Sequence, residues 1–485
     1  MWTKSNYKLH CTLFIHFFIT KQKIKPNINQ NRLTMKIKKI LGIILLLGIA
    51  LVMTYKFVDI APDKNLTTEQ QVVKVLKFGQ CAACHSHSPT LPFYANWPVI
   101  GDVIKQDAAL AIREFDVNIV SEGILKNQPI DEVTLNKLEY SFSHETMPPL
   151  KYYAVHWGTT INRVEKEIML NWIQQYRTEH HYNGLASTEF ANEPVQVIPD
   201  SIPVDPAKVE LGRMLYNDVR LSVDNSISCA SCHDLSKGGT DNKPFSEGVG
   251  GQFGGINAPT VFNATFNFVQ FWDGRAADLA AQAAGPPTNP IEMAHKSWRD
   301  IENILAADKT FTKAFTAVYP DGVTEANICN AIAEYEKTLI TPNSPFDLYL
   351  KGNKEAMTAE QIKGYQLFKE KSCATCHAGV NLGGLSYEFM GTHEDYFAAR
   401  GTELTEEDYG RGKQEEDVFF DHRFKTPGLR NVALTAPYFH DATQATLHDA
   451  VNAMAKHQTD YNLTDEETQM IVDYLNALTG DIPEK

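Results

Sequence analysis

Three short runs constrain this 485-residue chain more than anything else in it. They are Cys81-Ala-Ala-Cys84-His85, Cys229-Ala-Ser-Cys232-His233 and Cys373-Ala-Thr-Cys376-His377. Six of the eight cysteines lie in them, and only Cys11 and Cys329 stand outside. Two thiols three residues apart can each add to a vinyl group of one haem, and the adjacent imidazole then reaches the iron. Structural zinc or a disulfide would account for the thiols, but not for a histidine in the same place three times. The sixth iron position then decides the role of each site. A second strong ligand makes an electron-transfer centre, and an open position makes a catalytic one.

The motifs are spaced almost evenly, by 148 and then 144 residues, which predicts three similar haem domains. Each is preceded by a helical pattern. Thr67–Gln70 and Thr358–Gln361 read as capping boxes, and Val72, Val75 and Leu76 share one face before the first motif. Gly212 to Tyr216 before the second motif parallels Gly364 to Phe368 before the third. Closing helices are expected at Ile168–Tyr176, at Ile328–Leu339 and, after the Thr464–Glu467 capping box, at Met470–Leu478. No stretch is rich in β signals. The expected fold is mainly α, with three cytochrome c-like haem domains in tandem behind one N-terminal transmembrane helix. The domains are placed at 59–190, 203–345 and 346–485, after a leader and anchor at 1–58. Residues 178–206 read as a Pro-containing linker.

Ile40–Met53 is an unbroken apolar run preceded by Lys36, Lys38 and Lys39. It reads as an uncleaved membrane anchor with its basic end inside, because no small-x-small cleavage site follows. Met35 opens a normal anchor of its own and is a candidate true start. Residues 1–39 carry nine basic and no acidic side chains out of a net charge of −14, which leaves −23 for the rest. So acidic a body repels phosphate, and nucleic-acid partners are not expected. The expected location is the inner membrane, with the catalytic body in the periplasm, where C-x-x-C-H reads as haem attachment.

For the first haem, a methionine some 60 residues on is the usual partner. Met147 in Thr-Met-Pro-Pro fits, with His87 and His144 as rivals.

The second and third repeats carry a resemblance. Gly238-Gly239, Gly254–Asn263 (GGINAPTVFN), Gln270–Ala276 (QFWDGRA), Gln282–Pro286 (QAAGP), Ile291–Met293 (IEM) and Leu429–Asp441 (LRNVALTAPYFHD) are similar to the bacterial dihaem cytochrome c peroxidases. The resemblance covers roughly residues 203–480. With the anchor and the extra haem, the whole chain resembles the membrane-bound trihaem branch, which includes quinol peroxidases.

The resemblance implies roles by position. His233 is the proximal ligand of the peroxidatic haem. Glu292 is the acid/base that moves the peroxide proton between oxygens, Gln282 hydrogen-bonds the peroxide, and Pro286 shapes the pocket. Trp272 bridges the two haems. His377 and Met454 ligate the electron-donating haem, with Met470 a weaker rival. Asn257, Thr435 and Pro437 match the family's calcium ligands, the last two through carbonyls, and hard oxygen donors suit that ion.

One departure matters. Where many members carry a histidine that caps the peroxidatic iron, Glu247–Gly251 reads EGVGG, with Val249 at that position. Valine cannot ligate iron, so the oxidised second haem is expected to be five-coordinate or water-bound.

The function implied is a periplasmic, membrane-anchored peroxidase. It would reduce hydrogen peroxide to water with electrons from membrane quinol, a small cytochrome c or a cupredoxin. Two alternatives stand beside it: a maturation-type dihaem oxidase acting on a partner protein, and a pure multihaem electron-transfer cytochrome. Met454 argues against the first, whose donor haem uses tyrosine there.

Overall fold

Thr67, Thr358 and Thr464 each start a helix as expected. Their side chains accept from the backbone of Gln70, Gln361 and Glu467, which reciprocate. Each such cap is worth about 1 kcal/mol against alanine, so all three helix starts are set locally. The computed structural model describes residues 28–58, 61–148 and 161–483. It divides into two units, 1–60 and 61–485.

In the first unit, Ile28–Val58 is one helix. Its segment Met35–Thr54 is 20 residues long and apolar enough to cross a membrane by length and composition.

The second unit is mainly helical. Among the described residues the only paired strands are Tyr387–Phe389 and Arg423–Lys425, antiparallel, with Tyr387 opposite Lys425. Each C-x-x-C-H run sits against its own apolar cluster. Val72, Val75 and Leu76 join Leu135, Met169 and Trp172 around Cys81. Leu211, Leu215, Phe315, Ile328 and Ile332 pack beside Cys229. Leu367, Phe368, Ile471, Tyr474 and Leu475 pack beside Cys373.

The second and third repeats cross their helices in the same way. A Cβ on Gly212 of Pro206–Tyr216 would lie 1.9 Å from the Ala331 carbonyl oxygen in Glu325–Lys337. A Cβ on Gly364 of Ala359–Glu370 would lie 1.9 Å from the Met470 carbonyl oxygen in Asp465–Asn476. Only glycine permits either crossing, which explains the matching pattern ahead of the two motifs.

The segment expected as a linker is not free along its length. Val195, Val197 and Ile198 are fully buried in the third cluster's region. Gln196 donates its N–H to Gly379 O at 3.1 Å, and Ile198 donates to Asp347 Oδ1 at 3.2 Å. Proline content suggested a connector, but the alternating apolar residues make it an extended staple. Buried Arg430 adds to it, donating to Gln196 O at 2.9 Å and pairing with Asp347 at 2.9 Å.

The first repeat docks on the third through the helix Glu132–His144. Asn136 Nδ2 donates to Ala374 O, inside the third motif, at 3.1 Å. Buried Lys137 pairs with Glu388 at 2.8 Å and also donates to the Glu114 carbonyl. Tyr140 and Tyr461 hydroxyls meet at 2.7 Å.

Candidate active site

All three motifs make the same turn. The amide N–H of His85, His233 and His377 donates to the carbonyl of the first cysteine at 2.9, 3.0 and 3.1 Å respectively. The six thiols are unpaired with one another. Two of the imidazoles are also held on their Nδ1 side. His233 Nδ1 faces Gly239 O at 3.4 Å, and His377 Nδ1 faces Leu382 O at 3.1 Å. A carbonyl partner on Nδ1 fixes the tautomer that turns the Nε2 lone pair toward a metal. His85 is buried, and its Nδ1 makes no hydrogen bond of good geometry among the described residues, although the Phe115 and Ala111 backbone lies close to the ring. Burial pushes all three histidines below their ordinary pKa, toward the neutral form that binds iron. The donor set therefore fits three covalent haems.

The second motif faces an acid. Glu292 lies close enough for its charge to act on Cys232 and to feel Arg275. Asn289 Nδ2 donates to Glu292 Oε1 at 2.6 Å. Burial raises the Glu292 pKa above the usual carboxylate range, while Arg275 and Asn289 hold it back. Gln282 follows at the end of the short helix Leu279–Ala283, and Pro286 begins the next turn. The Gln282 side-chain amide makes no hydrogen bond among the described residues.

The Glu247–Gly251 loop is pinned to the same acid. Val249 N–H donates to Glu292 O at 2.8 Å, and Gln252 Nε2 donates to Pro290 O at 3.0 Å. A Cβ on Gly248 would lie 1.9 Å from Ile291 O, so this contact needs glycine. Val249 itself packs in the apolar cluster that includes Cys229, Ala280 and Ala284.

Trp272 lies between the second and third regions. Its indole N–H donates to Asn257 O at 2.9 Å, and its ring meets Phe424 at 6.4 Å and His440 at 6.3 Å, both edge-on. Met454, on the helix Leu447–Gln458, packs with Trp272 against the cluster of Met390, Tyr396, Phe397 and Phe424. Asn257 N–H donates to His440 O at 2.8 Å, which ties its loop to the Thr435–Pro437 segment's strand of chain. The carbonyls of Thr435 and Pro437 and the Oδ1 of Asn257 accept no hydrogen bond among the described residues, so these oxygens fit a calcium ion.

Met147 is different. It is 41% exposed at the end of the described stretch, beside residues 149–160, which lie outside it. Its rivals are engaged elsewhere: His144 stacks on Tyr140 at 4.1 Å, and His87 meets Phe419 at 4.6 Å. Among the described contacts none of the three is held against His85.

Three features escaped the sequence reading. Asn289, three residues before Glu292, orients the acid. Asp408 binds both His440, at 2.9 Å, and Arg400, at 2.7 Å. Arg400 also pairs with Asp441 at 2.9 Å, so the carboxylates of this acid–histidine group already have a cationic partner. Lys425 is buried beside Trp272. Its only sequence signal is its place just ahead of the Leu429 signature.

Comparison with known proteins agrees with this geometry. A family model described as di-haem cytochrome c peroxidase matches residues 206–355, and one described as a haem-binding domain matches residues 45–175. The chain is 46% identical over 418 residues to cytochrome c peroxidase Ccp of Escherichia coli (strain K12), covering 86% of this chain and 89% of that protein. This chain belongs to the di-haem cytochrome c peroxidase family. It is a peroxidase, and so an oxidoreductase. The Escherichia coli alignment is longer than the stretch from 206 to the end, so this peroxidase shares at least part of its N-terminal region with that relative. Cytochrome c551 peroxidase of Nitrosomonas europaea is 45% identical over 296 residues, 61% of this chain and 86% of that one. The fold also matches a crystal structure of a MauG-like protein associated with microbial copper homeostasis. That match has a TM-score of 0.52 at 24% identity and covers 58% of this chain and 95% of the other.

Proposed function

We propose that this peroxidase is a membrane-anchored, periplasmic trihaem enzyme that reduces hydrogen peroxide to two waters. Its electrons would come from membrane quinol, a small cytochrome c or a cupredoxin. The observation that carries the reading is the hydrogen bond from Asn136 to the carbonyl of Ala374, because it joins the first haem module to the third motif. Electrons would enter at the His85 haem, pass to the His377/Met454 haem, and cross near Trp272 to the His233 haem.

Haem held at His85 and at His377 with Met454 would carry electrons, and haem held at His233 would supply the bond-breaking chemistry. The chain supplies the rest. Asn289 occupies Glu292 Oε1 and leaves Oε2 to take a proton from the near peroxide oxygen and return it to the far one. Burial raises the proton affinity of this carboxyl, which suits a group that must take up a proton and then return it. The uncommitted Gln282 amide donates to the peroxide. The Val249 loop, fixed to the main chain of Glu292, walls the pocket without offering the iron a ligand. The calcium ion would sit on Asn257, Thr435 and Pro437, bracing the loop that receives the Trp272 indole.

The test is steady-state peroxide turnover by the full chain in detergent or nanodiscs, driven by a reduced quinol analogue or by reduced cytochrome c. A haem count of three per chain and turnover with at least one donor are expected. A chain with three haems that fails to consume peroxide with either donor would favour the electron-transfer cytochrome.

A further inference from the structure

Lys425 ends the strand Arg423–Lys425 and is 6% exposed. Its main-chain N–H donates to Trp272 O at 2.8 Å. Its ammonium makes no hydrogen bond or ion pair among the described residues. Asp273 is the one carboxylate whose charge acts on it, and that carboxylate is committed elsewhere. Arg275 Nη1 lies 3.0 and 3.1 Å from its two oxygens, and Gln414 Nε2 lies 3.1 Å from Oδ2. Burial pushes the Lys425 pKa down to about 8. An ammonium ion taken out of water without a partner is strongly unfavourable, so this position calls for an anion.

The surroundings say which one. Along a strand, alternate residues share a side. Phe424 turns to His440, on which it stacks at 4.3 Å, so Arg423 and Lys425 share the other side. Two residues beyond Lys425, the Pro427 carbonyl faces the His377 ring. Lys137 lies close enough to act on Cys376. Lys137 therefore lies at the third motif, Arg423 feels the same Glu388 and Glu114 that act on Cys376, and Lys425 is buried two residues further along that strand. Their acidic company is Glu388, which pairs with Lys137, Glu114, which burial pushes toward its neutral form, and Asp273, which Arg275 and Gln414 already hold. Among the described residues no carboxylate is left to pair with the Lys425 ammonium. A haem brings two carboxylates.

We propose that Lys425 is a positioning residue for the haem attached at Cys373 and Cys376, its ammonium pairing with one haem propionate. The inference rests on the three-haem reading. A retained positive charge beside that haem also favours its reduced state, because reduction adds an electron to the iron.

The experiment is a spectroelectrochemical titration of the full-length holoprotein and its Lys425→Met and Lys425→Arg variants, with each haem followed by its own optical and EPR signals. Lys425→Met is expected to lower the midpoint of the His377 haem by at least a tenfold change in its reduced-to-oxidised ratio, about 59 mV for one electron. Lys425→Arg is expected to restore most of that loss. A fall confined to the His233 haem, or no shift with all three haems attached, overturns the pairing. Should Lys425→Met not accumulate, redox-difference infrared spectra of wild type and Lys425→Arg, carrying haem labelled with carbon-13 at its carboxylates, decide the matter. A propionate band that moves between the two supports the pairing, and an unmoved band overturns it. A wild-type chain with no haem on Cys373 and Cys376 overturns this inference and the three-haem reading together.

Discussion

Around Cys229–His233 stand two buried acids with no ion-pair partner among the described residues, whereas the side chains buried around the strand Arg423–Lys425 are mainly cations, with Glu388 and the burial-raised Glu114 beside them. Glu292 is held above the usual carboxylate range, and Glu336, whose charge acts on Cys229, has a buried Oε2 with no partner and is pushed up to about 8 by burial alone. On the other side stand Lys425, Arg423 and Lys137. The two regions share a scaffold, down to the glycine that lets one helix cross the next. The difference lies in what each does with charge. Acids whose hold on the proton is strengthened by burial make a place that can take up protons and give them back. Buried cations make a place where an electron is welcome. One is suited to reaction and the other to relay.

The contrast breaks most severely at Glu292. Glu292→Gln keeps the shape and the Asn289 contact but cannot take up a proton. Peroxide turnover is expected to fall by roughly 10²- to 10⁴-fold, with haem content and the spectrum of the His377 haem unchanged. A loss smaller than tenfold in stopped-flow peroxide decay would move the proton role to another group.

Met454 tests the relay side. Methionine opposite histidine raises a haem potential, so Met454→His is expected to lower the midpoint of the His377 haem by something on the order of 0.1 V. Donor-driven turnover slows with it. An unchanged midpoint would hand the ligand role to Met470, which packs in the apolar cluster of the third repeat.

Glu336 adds a stability signature to the acidic side. Its folded pKa of about 8 lies above its unfolded value near 4.5. Between those values the folded state holds the proton more tightly than the unfolded chain does. Stability therefore falls as pH rises from about 4.5 to 8, because the unfolded chain is free to ionise this carboxyl while the buried one must keep its proton. Glu336→Gln is expected to flatten that fall, narrowing the Tm difference between pH 5 and pH 8 by a few degrees. Calorimetric melts with identical slopes in both proteins would show that Glu336 is not buried as an unpaired acid.

The smallest effect is expected at the seam between the first and third repeats. Asn136→Ala removes two buried hydrogen bonds, the one to Ala374 O and the one that Arg177 Nη2 donates to Asn136 Oδ1, each worth about 1 kcal/mol. It should slow donor-driven turnover a few-fold and leave peroxide reaction of the prereduced enzyme untouched, which rapid mixing can separate. Equal slowing of both would mean that the contact is merely structural.

Features written in local spacing were legible in the sequence. The motif turns and the three threonine caps depend on residues a few positions apart, and the match of Gly212 with Gly364 shows as a repeated local pattern even though distant Ala331 and Met470 are what require it. The roles given to Glu292, Gln282 and Trp272 come from the family resemblance and remain proposals. What escaped depends on distant partners. A lysine in Phe-Lys-Thr-Pro looks like a surface residue until Trp272 and Asp273, some 150 residues earlier, are packed over it. Asn136 gives no sign that it will meet Ala374, 238 positions away. The 195–198 segment reads as a connector until Gly379, Asp347 and Arg430 close around it. Met147 falls between the two classes. Its Thr-Met-Pro-Pro setting is a local signal, but the residues that follow it lie outside the described structure.

EPR of the fully oxidised full-length protein tests the division of labour most directly. Val249 cannot ligate iron, and its N–H is tied to Glu292 O at 2.8 Å. The second haem should therefore give a high-spin signal without prior reduction, beside a low-spin signal from the His377/Met454 haem. A spectrum containing only low-spin, six-coordinate haem would contradict the account.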